Sequence, residues 1–554
     1  MVKRSREDED VEVVRRSPKR QRSITLDRLS KLSDELVLRV LSYLPVPQLT
    51  VCARLSRKYN TLAGDNQLWK QQYYDRFVKP RASKIVSGDA GDITSRALRW
   101  GADEHSHNKL GARTTWKRQY RLRQNWTRGQ ATVSEIPVSV EASVPPVILQ
   151  MHAGIVYVAD MGGLRAWSTK AGRKMVAQTS FESSESSSPT ALSVDTNHSQ
   201  TTSRVVVGFE NGAFGVYDLD REGALFFHLY SHPASSSGVI ATAAISWPFV
   251  VTMTATQSLS LYRFKRHTTK GTQPEALDPP ILMHSLKSRS VWPPLSTSLR
   301  RTSTTITISI AYSLPTYLSG WTVGLQEVRV SSRGDFLSSR VASAIEQHYR
   351  PLAFAAPPLV SHLPLPVIGP LATSTATELR HIHSKPTSLS YTHPYMLVSH
   401  PDNTLTLYLV TSTDDILSIS AGSRLWGHTS SVSGAHVGGR GKAVSVSRRG
   451  DELRVWELEG GFASTAAKKR LAAGELSIQI RSSSRPATAP EWEMDLRSQP
   501  LSTKPLGSCA TESQFTDKSD LTLTRGWIGF DEENVVLLKE QCQGRQALVV
   551  YDFT

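Results

Sequence analysis

The nine residues RRGDELRVW, 448–456, hold a turn followed by a short alternating strand that ends on a tryptophan. Alone they describe any hairpin strand; repetition gives them meaning. The same form recurs as DMGGLRAW ending at Trp167, ENGAFGVY at Tyr217, TQSLSLY at Tyr262, PDNTLTLY at Tyr408 and GRQALVVY at Tyr551. A weaker seventh, WTVGLQEVRV near Val330, lacks the aromatic. Seven units at about 45 residues need roughly 315 of the residues from 131 onward and leave about a hundred for insertions. The Ser-, Thr- and Pro-rich stretches near 181–203 and 461–520 are the expected insertions. Helical periodicity is absent here, so the expectation for 131–554 is an all-β radial array of small sheets. The last unit, ALVVYDFT, stops after what should be a third strand. The alternating ATVSEIPVSV at 131–140 is the candidate to supply the missing outer one.

Ahead of the repeats the texture is helical. In LSDELVLRVLSYLPVPQLTVCARLSRKYNTLAGDNQLW, 32–69, the residues Leu32, Leu36, Val40 and Leu44 recur every four positions, and Val37 and Leu41 widen the stripe. Ser33 is the expected N-cap, with Asp34 and Glu35 suited to the positive end of the helix dipole. Pro45 and Pro47 end that helix, and Pro47 can begin the next. Gly64 closes a further helix and Asp65 can cap NQLWKQQYYDRF. These short helices carry more apolar surface than they can share, so part of the stripe is expected to belong to a partner.

The net charge is +16. Residues 1–130 hold 28 Lys+Arg against 14 Asp+Glu, and the remaining residues hold 37 against 35. The basic character thus belongs to the N-terminal quarter. Residues 1–23 are expected to be a disordered basic tail. Within it RRSPKRQR, with Arg15, Arg16, Lys19, Arg20 and Arg22, reads as a nuclear-import signal, and the expected location is nucleus and/or cytoplasm. The stretch KLGARTTWKRQYRLRQNWTRG, 109–129, carries seven basic residues and no acidic one, with Trp116 and Tyr120 on one helical face.

Several classes are disfavoured. The start MVKRSREDED has no apolar signal core. Cys52, Cys509 and Cys542 are too widely spaced for a disulfide framework or a CxxC metal site. Two long uncharged runs, 238–262 and 351–371, are broken by Pro248 and by six prolines, respectively, and do not read as membrane spans. There is no Walker loop, G-x-S-x-G elbow or HExxH motif, and GGRG at 438–441 is not followed by a helix. His105 with His107 and His381 with His383 lack a third ligand, so neither a metal nor any other cofactor is expected, nor catalysis by this chain itself.

The pattern in 32–69 closely resembles an F-box: leucine, then Leu, Val and Leu at helical spacing, a Leu-Pro break and a distal Leu-Trp. Ser33 stands where the family usually has proline. The resemblance implies that Leu32, Leu36, Val40, Leu44, Pro45 and Leu49 face the Skp adaptor of a Skp–cullin–F-box ubiquitin ligase. Residues 109–129 resemble the linker helix of F-box proteins with WD repeats, with Asn125, Trp126 and Gly129 as its exit. The repeats look like WD repeats, most clearly LWGHTSSVSGAHVGGRGKAVSVSRRGDELRVWELEGG, 425–461, with Gly427-His428, a Ser-rich strand and Trp456. The usual turn aspartate is replaced by Gly450, with Asp451 one residue late.

The expected architecture is therefore multidomain, α plus all-β: a tail (1–23), an F-box helical domain (24–80), linker helices (81–130) and a seven-bladed β-propeller (131–554). The implied function is that of a substrate receptor, bringing an unknown target to a ligase through the adaptor and a cullin. By the same resemblance Arg424, Arg448 and Arg449 are candidates to grip a phosphorylated target, and turn arginines in water are the alternative. A nuclear scaffold, or a nucleic-acid-associated protein using the basic 1–128 segment with Arg118, Arg121 and Arg123, remains open at this stage.

Overall fold

The computed structural model describes residues 32–79, 115–139, 143–344 and 384–482 with short breaks, and 521–554. The basic tail with Arg15, Arg16, Lys19, Arg20 and Arg22, the four paired histidines and most of 461–520 lie outside these residues. The stretch near 181–203, expected as an insertion, instead holds the inner strand of blade two, Pro189–Val194, because alternate residues of that Ser- and Thr-rich stretch are small or apolar enough to pack. The chain divides into a helical unit, described over 32–76 and 115–117, and a larger β unit.

The helical unit contains α1 (Asp34–Ser42), α2 (Val46–Cys52), α3 (Arg57–Ala63) and α4 (Asn66–Tyr73), followed by a π-helical turn, Tyr74–Val78. Its core is Val37, Leu41, Leu49, Ala63 and Leu68. Buried Trp69 donates its indole N–H to the Ala63 carbonyl at 2.7 Å. The Asp65 carboxylate accepts from the Gln67 and Leu68 amides, as its position predicts. Ser33 differs from expectation: it holds the N-cap position in an extended conformation, but its hydroxyl makes no cap bond. That corner is tied by Lys58, whose ammonium lies 3.0 Å from Asp34 and donates to the Leu32 carbonyl.

The β unit is a ring of seven sheets, a seven-bladed propeller, antiparallel except where residues 130–131 pair in parallel with 481–482 at the edge of the last blade. The blades occupy 148–179, 189–232, 240–287, 292–343, 388–425, 432–479 and 521–552. The first strand of each blade lies innermost, against the first strands of its neighbours. All seven repeat units found in the sequence are third strands. Second strands such as Ile155–Asp160 and Phe249–Thr254 are buried at every residue, as a strand covered on both faces must be. Hydroxyls staple the inner strands together: Ser296 accepts from the Tyr391 amide, Ser388 from Ala435 and Ser390 from Val437.

The last blade takes its outer strand from the start of the unit. Strand β1 (Gln130–Ser139) pairs antiparallel with Gln546–Asp552, from Thr132↔Asp552 to Ser139↔Gln546. Just before it runs α5 (Trp116–Arg128), with Tyr120, Leu122 and Trp126 buried. The Trp126 ring stacks on Phe553 at 3.9 Å, its N–H donates to the Glu532 carbonyl, and Lys442 lies 4.0 Å over its ring. Asn125 donates to the Phe553 carbonyl and Arg118 pairs with Glu533 at 2.8 Å. Gly129 then turns the chain at φ 66°, where a Cβ would stand 2.3 Å from the Gln479 carbonyl oxygen; only glycine fits.

Blade four is held by charge. Glu327, fully buried on its third strand, receives Arg300 from the first strand and Arg340 from the fourth, each at 3.0 Å. The Ser309 hydroxyl on the second strand and Ser412 of blade five also donate to it. One carboxylate therefore joins all four strands of its blade to the next blade.

Candidate functional site

Two faces are candidates for function. The first is on the helical unit. Helix α1 has two apolar sides: Val37 and Leu41 enter the core, while Leu36 and Val40 stay 54% and 48% exposed. Tyr43, a further turn along, is 75% exposed, and Val51 and Leu55 extend the surface. Leu32 and Leu44 are half-buried against the core, and Pro45 is exposed. Leu49 needs correction. Among the six residues expected on the partner face it is buried in the core at 1% exposure, because the chain turns at Pro45 and α2 presents a different side. Tyr43, Val51 and Leu55 were missed. Tyr43 continues the 36, 40, 43 spacing, a signal the sequence already carries, whereas Val51 and Leu55 depend on how α2 ends.

The second face is the end of the propeller that bears the turns between second and third strands of blades five and six. Arg424 is committed there: it pairs with Asp402, donates to the Thr404 hydroxyl and lies 4.9 Å over the ring of Trp426. Trp426, 47% exposed, was not singled out from the sequence. Arg448 and Arg449 are exposed on the turn before Leu453–Glu457. That turn joins the second and third strands of blade six. The Arg448 amide bonds the Ser431 carbonyl and the Val432 amide bonds the Asp402 carbonyl, which brings the three arginines to one end of adjacent blades.

Beneath this face lies the bond set that identifies the repeat. His428 Nε2 lies 2.6 Å from the Ser445 hydroxyl, to which the Trp456 indole N–H donates at 2.8 Å. The carboxylate beside the histidine is Glu452, 3.4 Å from Nδ1, and not Asp451, which pairs with Ser447. Burial alone would raise the Glu452 pKa, but bonds from the Thr429 amide and Arg454 outweigh it and hold it low. Burial, opposed by Glu452 and aided by Arg454, lowers His428 to about 4. Burial also lowers His436 to about 4.

A stability loss in acid follows. The unfolded chain takes protons on these imidazoles near pH 6.5 and the native chain only near 4, so their contribution is complete above 6.5 and drains as pH falls toward 4. For each histidine the full effect is about 3 kcal/mol. Urea midpoints at pH 7 and 4.5 should differ accordingly, and His428→Gln should flatten part of the difference. A variant that keeps the whole acid loss would exclude His428 as its source.

On α5, Arg118 is spent on Glu533 and Arg121 is exposed, while Arg123 is half-buried. Among the described residues no helix is long and apolar enough to cross a membrane, and no group of three His, Cys, Asp or Glu could hold a metal.

Residues 30–75 match the F-box-like family, and residues 131–554 match the β-propeller of the F-box protein pof12. No curated protein matches. Similar solved structures include U3-55K, at 8% identity over 76% of this chain and 98% of that one with a TM-score of 0.39. The Cps50 (Swd1) propeller of Myceliophteria thermophila is similar at 10% identity over 76% and 100%, with a TM-score of 0.38. Sqt1 of Saccharomyces cerevisiae is similar at 10% identity over 72% and 81%, with a TM-score of 0.33. With an F-box-like domain ahead of a propeller that the family model matches from its first strand to its last, the chain belongs to the F-box proteins of the pof12 β-propeller family.

Proposed function

We propose that this protein is the substrate-recognition subunit of a Skp–cullin–F-box ubiquitin ligase. The observation that carries the reading is the outward side of α1 and its extension, Leu36, Val40, Tyr43, Val51 and Leu55, left exposed while the opposite side fills a core. A folded helical unit that leaves this surface in water is built for a partner. The adaptor would cover it, with Leu32, Leu44 and Pro45 at the margin, and a cullin would be recruited through the adaptor. The propeller end with Arg448 and Arg449, beside Trp426 and the Asp402-paired Arg424, would hold the target, with bidentate arginine bonding suited to a phosphate or carboxylate. The basic cluster 15–22 adds nuclear import to the proposal. Chemistry is then proximity: a target lysine held near a ubiquitin donor carried by other subunits.

The test is recovery of the Skp adaptor and cullin by the full chain beside a Leu36→Asp, Val40→Asp variant. Both side chains point away from the core, so folding is kept while two charges enter the contact. Adaptor affinity is expected to fall by more than about 100-fold. Equal recovery by parent and variant would place the adaptor elsewhere, and no recovery by a folded parent would end the ligase reading.

A further inference from the structure

The second and third strands of blade four, Thr305–Thr316 and Gly320–Ser331, pair in register out to Thr316↔Gly320. The first strand pairs only as far as Ser313, through Trp292, and the fourth only as far as Gly324. The hairpin tip therefore stands clear of both flanking strands. Residues directly opposite one another in antiparallel strands share a face, which places Trp292, Ser313, Pro315, Trp321 and Val323 on one side. Val323 is buried with Leu389 and Tyr391, so this is the side toward blade five. Beyond it, Trp292 is 47% exposed, Pro315 is exposed and Trp321 is half-buried. Neither indole N–H has an acceptor among the described residues. The Ser313 hydroxyl below them is fully buried without a partner.

Two partly exposed indoles with unused N–H donors, beside a proline, are the chemistry that takes a polyproline II segment. Proline rings lie flat on the indoles, and the carbonyls of that helix, which makes no internal hydrogen bonds, are free to accept. The sequence holds a proline-rich stretch between two described residues that lie at this ledge. The Ala344 amide, at the end of blade four, bonds the Val323 carbonyl at 3.1 Å. At the start of blade five the Lys385 ammonium lies 5.5 Å over the Trp321 ring. The described residues on either side of 345–383 thus lie at the ledge. Within 345–383, PLAFAAPPLVSHLPLPVIGPL, 351–371, holds six prolines and no Lys, Arg, Asp or Glu. Six extended residues reach about 20 Å, enough to bring Pro351 from Ala344 onto either indole.

We propose that Trp292 and Trp321 form a docking ledge for a proline-rich segment and that its occupant is this chain's own 351–371. The ledge belongs to the propeller alone, and the inference is independent of the ligase reading.

The full chain is labelled with 5-fluorotryptophan, and its resonances are assigned through Trp292→Phe and Trp321→Phe. A second version has 351–371 replaced by a Gly-Ser sequence of equal length, with an unchanged thermal midpoint as the folding control. The Trp292 and Trp321 resonances are expected to move in the replaced chain while the other ten stay, since the protein has 12 tryptophans. A synthetic 351–371 peptide should return both saturably. If neither resonance moves on replacement, the segment does not occupy the ledge and the proposal fails. A difference that disappears on dilution assigns the ledge to a second copy and overturns the occupant named here. Movement of all the resonances alike reports a general change in the fold and also overturns it.

Discussion

Glu327→Ala is expected to destabilise the propeller by about 3–5 kcal/mol, the cost of removing one partner from a buried ion pair. The carboxylate has no exposed surface, and the arginines at its two oxygens come from opposite edges of the blade. Its removal leaves two partly buried guanidinium groups facing each other, and the Ser309 and Ser412 hydroxyls lose an acceptor. Urea unfolding should show the loss as a lower midpoint with an unchanged slope. A triple replacement, Glu327→Leu with Arg300→Met and Arg340→Met, should recover most of it, because apolar groups of similar volume carry no desolvation cost. A single-variant loss below about 1 kcal/mol, the ordinary size for a point substitution, would mean that water already solvates the cluster.

Trp126→Ala should have the second large effect, about 3–5 kcal/mol. The ring is buried between Phe553 on one face and Lys442 on the other, and its N–H is used by the Glu532 carbonyl. Without it, residues 118–128 keep the Asn125 and Arg118 bonds and the burial of Leu122 in the propeller core. Trp126→Phe keeps the stacking and loses the hydrogen bond, so about 1 kcal/mol should go. Hydrogen exchange resolves the two: amides of 118–128 should exchange faster in the alanine variant, and those of the inner strands of blades two to four, outside the cluster that holds Trp126, should not. Unchanged exchange across α5 would show that its seat lies elsewhere.

Both residues also mark what the sequence could and could not convey. Trp126 was legible, since an Asn-Trp-x-x-Gly exit is a local pattern and the stack it makes is where that pattern leads. Glu327 was not. Its partners lie 27 residues before it and 13 after it, and nothing in WTVGLQEVRV distinguishes a buried glutamate from an exposed one. Six of the third strands were readable because each follows a turn and carries an aromatic near its end. The ring closure was readable because an unpaired last strand and a spare alternating segment imply each other. The acid of blade six was displaced by one residue, from Asp451 to Glu452, because a longer side chain can reach the same histidine from the next position. Leu49 was misplaced because the resemblance assigned it to the partner face, whereas past Pro45 the axis turns and carries it into the core. On α1 itself the period was right, and only the packing of the fold divides one broad stripe into a core side and an exposed side.

The pairing of β1 with Gln546–Asp552 sets a clock as well as a shape. The two strands are separated by some 407 residues, from Ser139 to Gln546. At about 5–20 residues per second on the ribosome, β1 waits roughly 20–80 s for its neighbour. Throughout that interval a ten-residue strand carries an open edge. Six blades can assemble in order of synthesis, but the seventh cannot begin to close until the final strand has left the exit tunnel. Nascent chains stalled before residue 546 should therefore stay bound to chaperones, and any lesion that slows late translation acts on the first strand made.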